Sequence, residues 1–476
     1  MKTLGIRGRL LASSTICGAA FLALTATQAA AADAPAAGEV SEIVVTGSRI
    51  PQPNLTSVSP IQVVNDQEFK LQGKGDVSDL MNNLPQNFQN SGTDFSSTSN
   101  PLAAPGGVST ANLRGLGPQR TLVLIDGRRL GMGDANSGNP NPAPDLNQIP
   151  APLVDRVEVL TGGASATYGS DAVAGVINFV MKHNFQGVQI DGQVGMYQHS
   201  QNDEKGIQGL ITASHNKLPK DDVWDGRSRD LSMIVGTNGN DDKANITAYF
   251  VYHRQDPVSQ ASRDFSACQL RVSAAGVPRC SGSANSNQFF VATGSGPGVD
   301  NNNGFTVIGN QFVDYATAPN TGSPPLLFNS SPFQYLQHDD TRYSAGFFSR
   351  YEFNKNIEVY SDFMFMNDRS ITAVAPSGLF QGSGPSPNGG FLVNCNNPLL
   401  SAQQALTLCS PSDIASGANA DMVIGRRNIE GGPRQSVYEH QNYRAVVGAR
   451  GELPELEGWK YDAYASYYYT SLFQSN

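Results

Sequence analysis

From residue 187 onward the chain alternates apolar and polar side chains. Val188, Ile190, Val194 and Met196 fall on one face, and Gln189, Asp191 and Gln193 on the other. Ile246, Ala248, Phe250 and Tyr252 oppose Asn245, Thr247, Tyr249 and His253. Ile357, Val359, Phe363 and Phe365 oppose Glu358, Tyr360 and Asp362. Tyr443, Ala445, Val447 and Ala449 oppose Asn442, Arg444 and Arg450, and Trp459, Tyr461, Ala463, Ala465, Tyr467 and Tyr469 oppose Lys460, Asp462 and Ser466. Successive side chains of a strand point to opposite faces, so each segment predicts a strand with one apolar and one polar side. Less regular segments at 231–236 and 343–353 bring the count to about seven strands.

The spacing between these segments is sorted. Residues 238–243, 354–356 and 454–458 are tight connections. They alternate with long ones at about 197–227, 256–340 and 369–438. A soluble β-sandwich shows similar alternation within each strand, but it has no reason to sort its loops. Short turns on one rim and long loops on the other are the arrangement of an antiparallel membrane β-barrel. Residues 186–476 are therefore read as barrel. A single-chain bacterial barrel closes on an even number of strands. The chain also ends at Ser475 and Asn476 directly after a strand, so the barrel is read as partial.

Residues 55–185 have a different texture and read as a compact α/β unit. Residues 60–65 predict a strand. A short helix with Glu68, Phe69 and Leu71 follows Asp66, and a second helix over 76–84 is stopped by Pro85. Two strands are expected within 113–125, and strand, glycine turn, short helix and strand over 153–182. The loops 86–109 and 131–145 are long and rich in turn formers, which marks them as functional or disordered. Ahead of this unit, Lys2, Arg7 and Arg9 precede an apolar stretch at 10–24 and small residues at 29–32, so residues 1–31 read as a secretory signal. Residues 32–54 read as a tether.

Composition adds exclusions. The net charge of −9 disfavours nucleic acid as a partner. No segment after the signal approaches the roughly 18 apolar residues of a membrane helix. Four cysteines, Cys268, Cys280, Cys395 and Cys409, remain after the signal, on the oxidising side of the membrane. Their connectivity is open. Local pairs, Cys268 with Cys280 and Cys395 with Cys409, close the shortest loops. The spacing and the scattered histidines disfavour zinc, and no metal or cofactor is expected. Gly162, Gly163, Gly169 and Gly175 lack the flanking residues of a phosphate loop, and Ser165 lacks the frame of a catalytic serine, so no enzymatic activity is expected. Those glycines are read as tight turns.

Three ordered motifs resemble one family. Residues 113–117 read Leu-Arg-Gly-Leu-Gly, residues 121–129 read Thr-Leu-Val-Leu-Ile-Asp-Gly-Arg-Arg, and the strand–turn–strand over 153–182 closes the set. They are similar to the plug domain of TonB-dependent outer-membrane receptors. The resemblance implies an N-terminal α/β plug inside a membrane β-barrel of about 22 strands, of which only about seven are present. It also implies import of a scarce solute, with energy from the TonB complex, in the outer membrane of a Gram-negative bacterium. Glu42, Ile43, Val44, Val45 and Thr46 resemble the TonB box. This extended segment between Pro-rich flanks suits strand addition to a partner's sheet, with the first plug strand as the alternative.

Plug arginines in that family contact carboxylates of the barrel wall. Arg114, Arg128 and Arg156, with Glu158, are the candidates here, and solvated ion pairs are the alternative. The apical plug loops are rich in amides. Gln89, Asn90, Asp134, Asn136 and Asn139 are candidate ligand contacts, because amides both donate to and accept from hydroxyls. That leans towards an oligosaccharide over an iron chelate or cobalamin, with solvated turns as the alternative. Outside the resemblance stands a passive porin or adhesion barrel without energy coupling. It gains nothing from a folded stopper.

Overall fold

The N-terminal unit is built on five strands: β1 (Ile61–Asn65), β2 (Thr121–Ile125), β3 (Arg128–Arg129), β4 (Val154–Leu160) and β5 (Gly175–Met181). Their order is β1-β4-β5-β2-β3. Only β2 and β5 run parallel. Every residue of β2 is buried, as suits a strand covered on both faces. Helix α1 (Val77–Asn82) contributes Leu80 and Met81 to a core that also holds Leu113, Ile125, Leu153, Val157 and Phe179. The short helix α2 (Ser165–Tyr168) lies in the turn between β4 and β5. Gly175 has φ +131°, and a Cβ there would sit 2.3 Å from the Leu160 carbonyl oxygen, so only glycine fits where β5 begins.

One expectation for this unit is corrected. The segment 113–125 holds one strand rather than two. Leu113 makes an isolated bridge to Asn87, and Pro118–Arg120 is a single 3₁₀ turn. Positive φ at Gly115 and Gly117, and the missing N–H of Pro118, break the first strand.

The computed structural model describes residues 61–65, 75–88, 107–134 and 143–475, apart from 163, 204–205, 240, 284, 294–303, 316–326, 388 and 457. The expected signal (1–31), the tether (32–54) and the helix expected after Asp66 lie outside the described residues. All the described residues fall in one compact unit.

A second sheet follows. It comprises β6 (Gly187–Ser200), β7 (Asp222–Gly239), β8 (Ala244–Gln255), β9 (Asp339–Asn354), β10 (Ile357–Val374), β11 (Arg434–Glu452) and β12 (Lys460–Ser475). The strands pair in chain order, all antiparallel. Among the described strands, β6 and β12 each pair on one side only, so the sheet is an open wall. Its burial is the reverse of a water-soluble sheet. Leu231, Met233, Phe250, Val447 and Tyr467 are exposed, whereas Asp340, Arg342, Asp368, His440 and Arg444 are buried. Apolar side chains outward and charged ones inward suit lipid on one side and a polar lumen on the other. Tyr252 with Tyr343, and Tyr443 with Phe365, cluster on the outward face with ring centroids 5.2 and 5.0 Å apart. Tyr351 and Phe353 do so nearer the tight turns. Such aromatic bands mark both water boundaries of a membrane wall.

The short connections 240–243, 355–356 and 453–459 share one rim, and the long connections 201–221, 256–338 and 375–433 share the other. The long ones carry structure of their own. Helix α3 (Ile207–Ala213) packs beside the hairpin of Gln269–Val272 and Pro278–Ser281. A Cys268–Cys280 disulfide closes that hairpin. Helices α4 (Ala402–Leu408) and α5 (Pro411–Ser416) each start with a reciprocal cap, at Ser401 with Gln404 and at Ser410 with Asp413. A Cys395–Cys409 disulfide ties this pair to the strand before it.

The outward band makes a direct prediction. Phe347→Arg places a charge in the middle of it and should cost about 2–4 kcal/mol in a bilayer. Denaturant unfolding of the protein in phospholipid vesicles measures this, with Ser349→Arg, nearer the short-turn rim, costing less.

Candidate functional site

Register builds a row of charge across the inner face of the wall. Asp230 stands opposite His253, His253 opposite Arg342, Arg342 opposite Asp368, and Asp368 opposite His440. Five adjacent strands thus present one charged or ionisable side chain each, at the same height, near the rim of the long connections. Asp340 lies one step nearer that rim on β9 and is wholly buried. Burying charge is costly unless partners are supplied. Some of those partners are internal: Asp230 Oδ1 lies 2.6 Å from His253 Nδ1, and Asp340 Oδ2 lies 4.0 Å from Arg342 Nη1.

The rest comes from the N-terminal unit. Asp76, just ahead of α1, occupies the capping position but makes no side-chain cap bond. Its carboxylate accepts from Arg342 Nη2 instead and lies 3.5 Å from His253 Nε2. Gly107 presses its backbone on the same region. Its φ is +81°, and a Cβ there would lie 2.1 Å from Ser370 Oγ. Close by, Asp145 accepts from the Ser109 and Asn147 amides at 3.0 Å each. Burial pushes its carboxyl up to about 7, against the pull of those amides.

At the other end of the wall the polarity is reversed. Arg128 of β3 donates from Nη2 to Tyr360 Oη at 2.7 Å and to Asp462 Oδ2 at 3.0 Å. Its guanidinium lies over the rings of Tyr360 and Tyr464, at 4.6 and 5.0 Å. Between the two ends the contact is apolar. Ile234, Tyr249, Phe348 and Met364 of the wall join the same cluster as Leu153, Phe179 and Met181. Tyr468 Oη donates to Gln148 Oε1, and Thr470 Oγ1 donates to the Met132 carbonyl at 2.8 Å.

The chain between the two sheets is fastened as well. The Phe185 amide donates to Thr247 Oγ1 at 3.2 Å, and Asn245 Nδ2 donates to the Phe185 carbonyl at 3.1 Å. His183 Nε2 lies 3.0 Å from Asp126 Oδ2, and its ring meets Phe348 edge-on at 5.0 Å. Burial opposes charge on His183, but the Asp126 carboxylate outweighs it and raises the imidazole above its ordinary range. For Asp126 burial pulls upward, and His183 with the Met181 amide more than offsets it, so the carboxyl is lowered.

Residues 53–176 match the family described as the TonB-dependent Receptor Plug Domain. The chain carries a TonB-dependent receptor plug. Solved structures similar to the chain include the siderophore receptor PiuA from Acinetobacter baumannii, at 11% identity and TM-score 0.38, covering 87% of this chain and 46% of that one. BauA, the ferric preacinetobactin receptor of the same organism, aligns at 13% identity and TM-score 0.37, over 88% of this chain and 48% of that one. A mutant of the ferric enterobactin receptor PfeA from Pseudomonas aeruginosa, in complex with enterobactin, aligns at 13% and 0.35, over 87% and 49%. The chain spans about half the length of these structures.

The seam between plug and wall sorts the residues singled out from sequence. Arg128 reaches a wall carboxylate. Arg114 does not: its Nη2 donates to the plug carbonyls of Val173 and Ala174, at 3.4 and 3.0 Å. With φ +57° its backbone turns the side chain back over the β4–β5 turn. The bonds of Arg156 also stay in the plug, to Glu158 and Asp155. Glu158 is buried in the middle of the five-stranded sheet, and its charge is met there by Arg156 Nε and Asn178 Nδ2.

The ligand candidate Asp134 is corrected too. It is fully buried rather than facing outward, and beside it the Gly133 amide bonds the Ala143 carbonyl at 2.9 Å. Gln89, Asn90, Asn136 and Asn139, and the segment Glu42, Ile43, Val44, Val45 and Thr46, lie outside the described residues. Sequence reading missed Asp76 and His183 as seam residues. The nearest signal was His253 on the polar face of its strand, a charge that needs a partner.

Two outcomes are expected. Asp76→Asn keeps the shape of the side chain but removes its charge, and should weaken the outer end of the seam by about 2 kcal/mol. Hydrogen exchange of the protein should then quicken over residues 75–84 and stay unchanged in β2 and β5. Equal exchange over 75–84 would show that the contact holds nothing. Separately, side-chain nitrogen NMR should find His183 titrating above the ordinary value of about 6.5. The charged imidazole stabilises fully below that value, and its contribution is lost as pH rises through the raised one. The Asp126 contribution is present above its ordinary value of about 4 and is lost as pH falls through the lowered one. Asp126→Asn should bring the His183 midpoint down.

Proposed function

We propose that the chain is the plug and a section of the wall of an outer-membrane receptor of a Gram-negative bacterium. The receptor binds a scarce extracellular small molecule and imports it with energy delivered by the TonB complex. One observation carries the reading: a plug-family domain is bedded on the charged inner face of a wall whose other face suits lipid. A stopper held by polar contacts at both ends and apolar packing between them is firm at rest. It is also releasable, because each polar group that lets go is taken up by lumen water.

The residues proposed to be gripped are Glu42, Ile43, Val44, Val45 and Thr46, by strand addition to the partner's sheet. Force applied there reaches β1 first, at the edge of the five-stranded sheet, and next along the chain Asp76 and α1. Loosening at Asp76 exposes Arg342 and His253 to the lumen and opens a path along the inner face. The solved receptors named above are described as receptors for ferric enterobactin, ferric preacinetobactin or a siderophore. Iron chelates are therefore one class to screen, beside cobalamin and oligosaccharides.

Deleting residues 42–46 tests the reading. Uptake by intact cells should be abolished while binding of the solute at the cell surface persists. Uptake that continues in the deletion, or that survives collapse of the proton gradient, would sink it.

A further inference from the structure

The three long connections enclose a cavity of about 860 Å³ beyond the rim of the wall. Its lining draws on all of them: Lys217 and Lys220 from the first, with Asp225 at the start of β7, Phe328 and Phe333 from the second, and Ile429 from the third. Phe328 and Phe333 stack along one side with centroids 5.7 Å apart. A stacked pair at a cavity wall offers a flat apolar surface to a third ring.

The charge on this lining is one-sided. Lys217 and Lys220 contribute to it, and among the described residues neither has a carboxylate within ion-pair distance. Asp225 is the acid among the lining residues, and it is already held by Arg263 through two bonds of 2.6 and 2.8 Å. Asp221 and Asp222 follow Lys220 in sequence but do not line the cavity. A third cation lies behind the aromatic wall. Arg427 is buried, with its guanidinium 5.5 Å from the Phe328 ring and 4.7 Å from the Phe380 ring. Its side chain donates to the Pro376 carbonyl and Ser283 Oγ, both uncharged, and its backbone amide donates to the Ser286 carbonyl in the lining. Its buried Nε has no hydrogen-bond partner. Burying a cation without an anion is costly. Low-dielectric walls also extend its field into the cavity.

We propose that this cavity binds a small organic anion bearing a flat ring, with the anionic group at Lys217 and Lys220 and the ring on Phe333. The proposal rests on the receptor reading and deepens it, by naming a recognition site outside the plug and the chemistry it selects. A neutral, hydroxyl-rich solute satisfies the amides expected on the plug loops, but it leaves these cations unanswered.

The test uses the full-length receptor in detergent, without TonB and without a proton gradient. Three probes are titrated: 2-naphthoate, its neutral isostere 2-naphthamide, and acetate. Saturable 2-naphthoate binding is expected, with 2-naphthamide and acetate each at least about tenfold weaker. Lys217→Gln with Lys220→Gln should weaken 2-naphthoate about tenfold and leave 2-naphthamide unchanged. Phe333→Leu should weaken both aromatic probes. Lys355→Gln, on the opposite rim, should change neither. Circular dichroism and non-reducing peptide maps establish that the variants keep their fold and both disulfides. Equal affinity for the two naphthalene probes, or wild-type 2-naphthoate affinity in the double lysine variant, overturns the proposal. Binding without uptake counts against import alone, and uptake without 2-naphthoate binding counts against the cavity alone.

Discussion

Charged side chains on the inner face of the wall have to be answered, and the plug supplies what the wall lacks. Arg342 and His253 face a cluster of wall carboxylates, yet Asp76 of the plug completes their contacts. At the far end Asp462 and Tyr360 of the wall receive Arg128 of the plug. The plug offers an acid at one end and a base at the other, so it fits the wall in one orientation only. Swapping ends sets like charges against each other, and the lost contacts are buried ones. The apolar stretch between, from Ile234 to Met364, adds adhesion without direction.

This arrangement explains how a domain with its own core is held without merging into the wall. Few backbone groups are shared between the two. The amides and carbonyls of β1–β5 pair with each other, and those of β6–β12 pair with each other. What joins them is side chains and a short linker at 182–186, pinned by Thr247 and Asn245. Side-chain contacts can break singly and in sequence, whereas a hydrogen-bonded ladder yields only as a unit.

The wall was legible in the sequence because lipid on one side forces a strict apolar face, and Phe250, Phe363 and Val447 record it. The sorted loop lengths told which rim is which. Register was not legible from alternation, which fixes faces but not heights. Arg342 meets Asp368 because the turn at 355–356 sets the offset between β9 and β10, and a one-residue slip would send every side chain to the other face. The seam was hidden for a related reason. Asp76 opens a helix and looks like a local cap, and only the folded wall reveals that its carboxylate has another use. Arg128 was found because its motif carries it. Arg114 and Arg156 share that motif region, but each found a nearer partner inside the plug. Asp134 sits in a polar stretch, and composition does not say which of its side chains is buried.

Each disulfide lies within a single connection: Cys268–Cys280 in the second and Cys395–Cys409 in the third. Neither bond staples one connection to another. What joins the second connection to the third is a backbone ladder instead, in which Phe290–Thr293 pairs antiparallel with residues 422–425. Those two loops therefore take their shape together, and a change in one is felt in the other. Each disulfide limits only the freedom of its own loop.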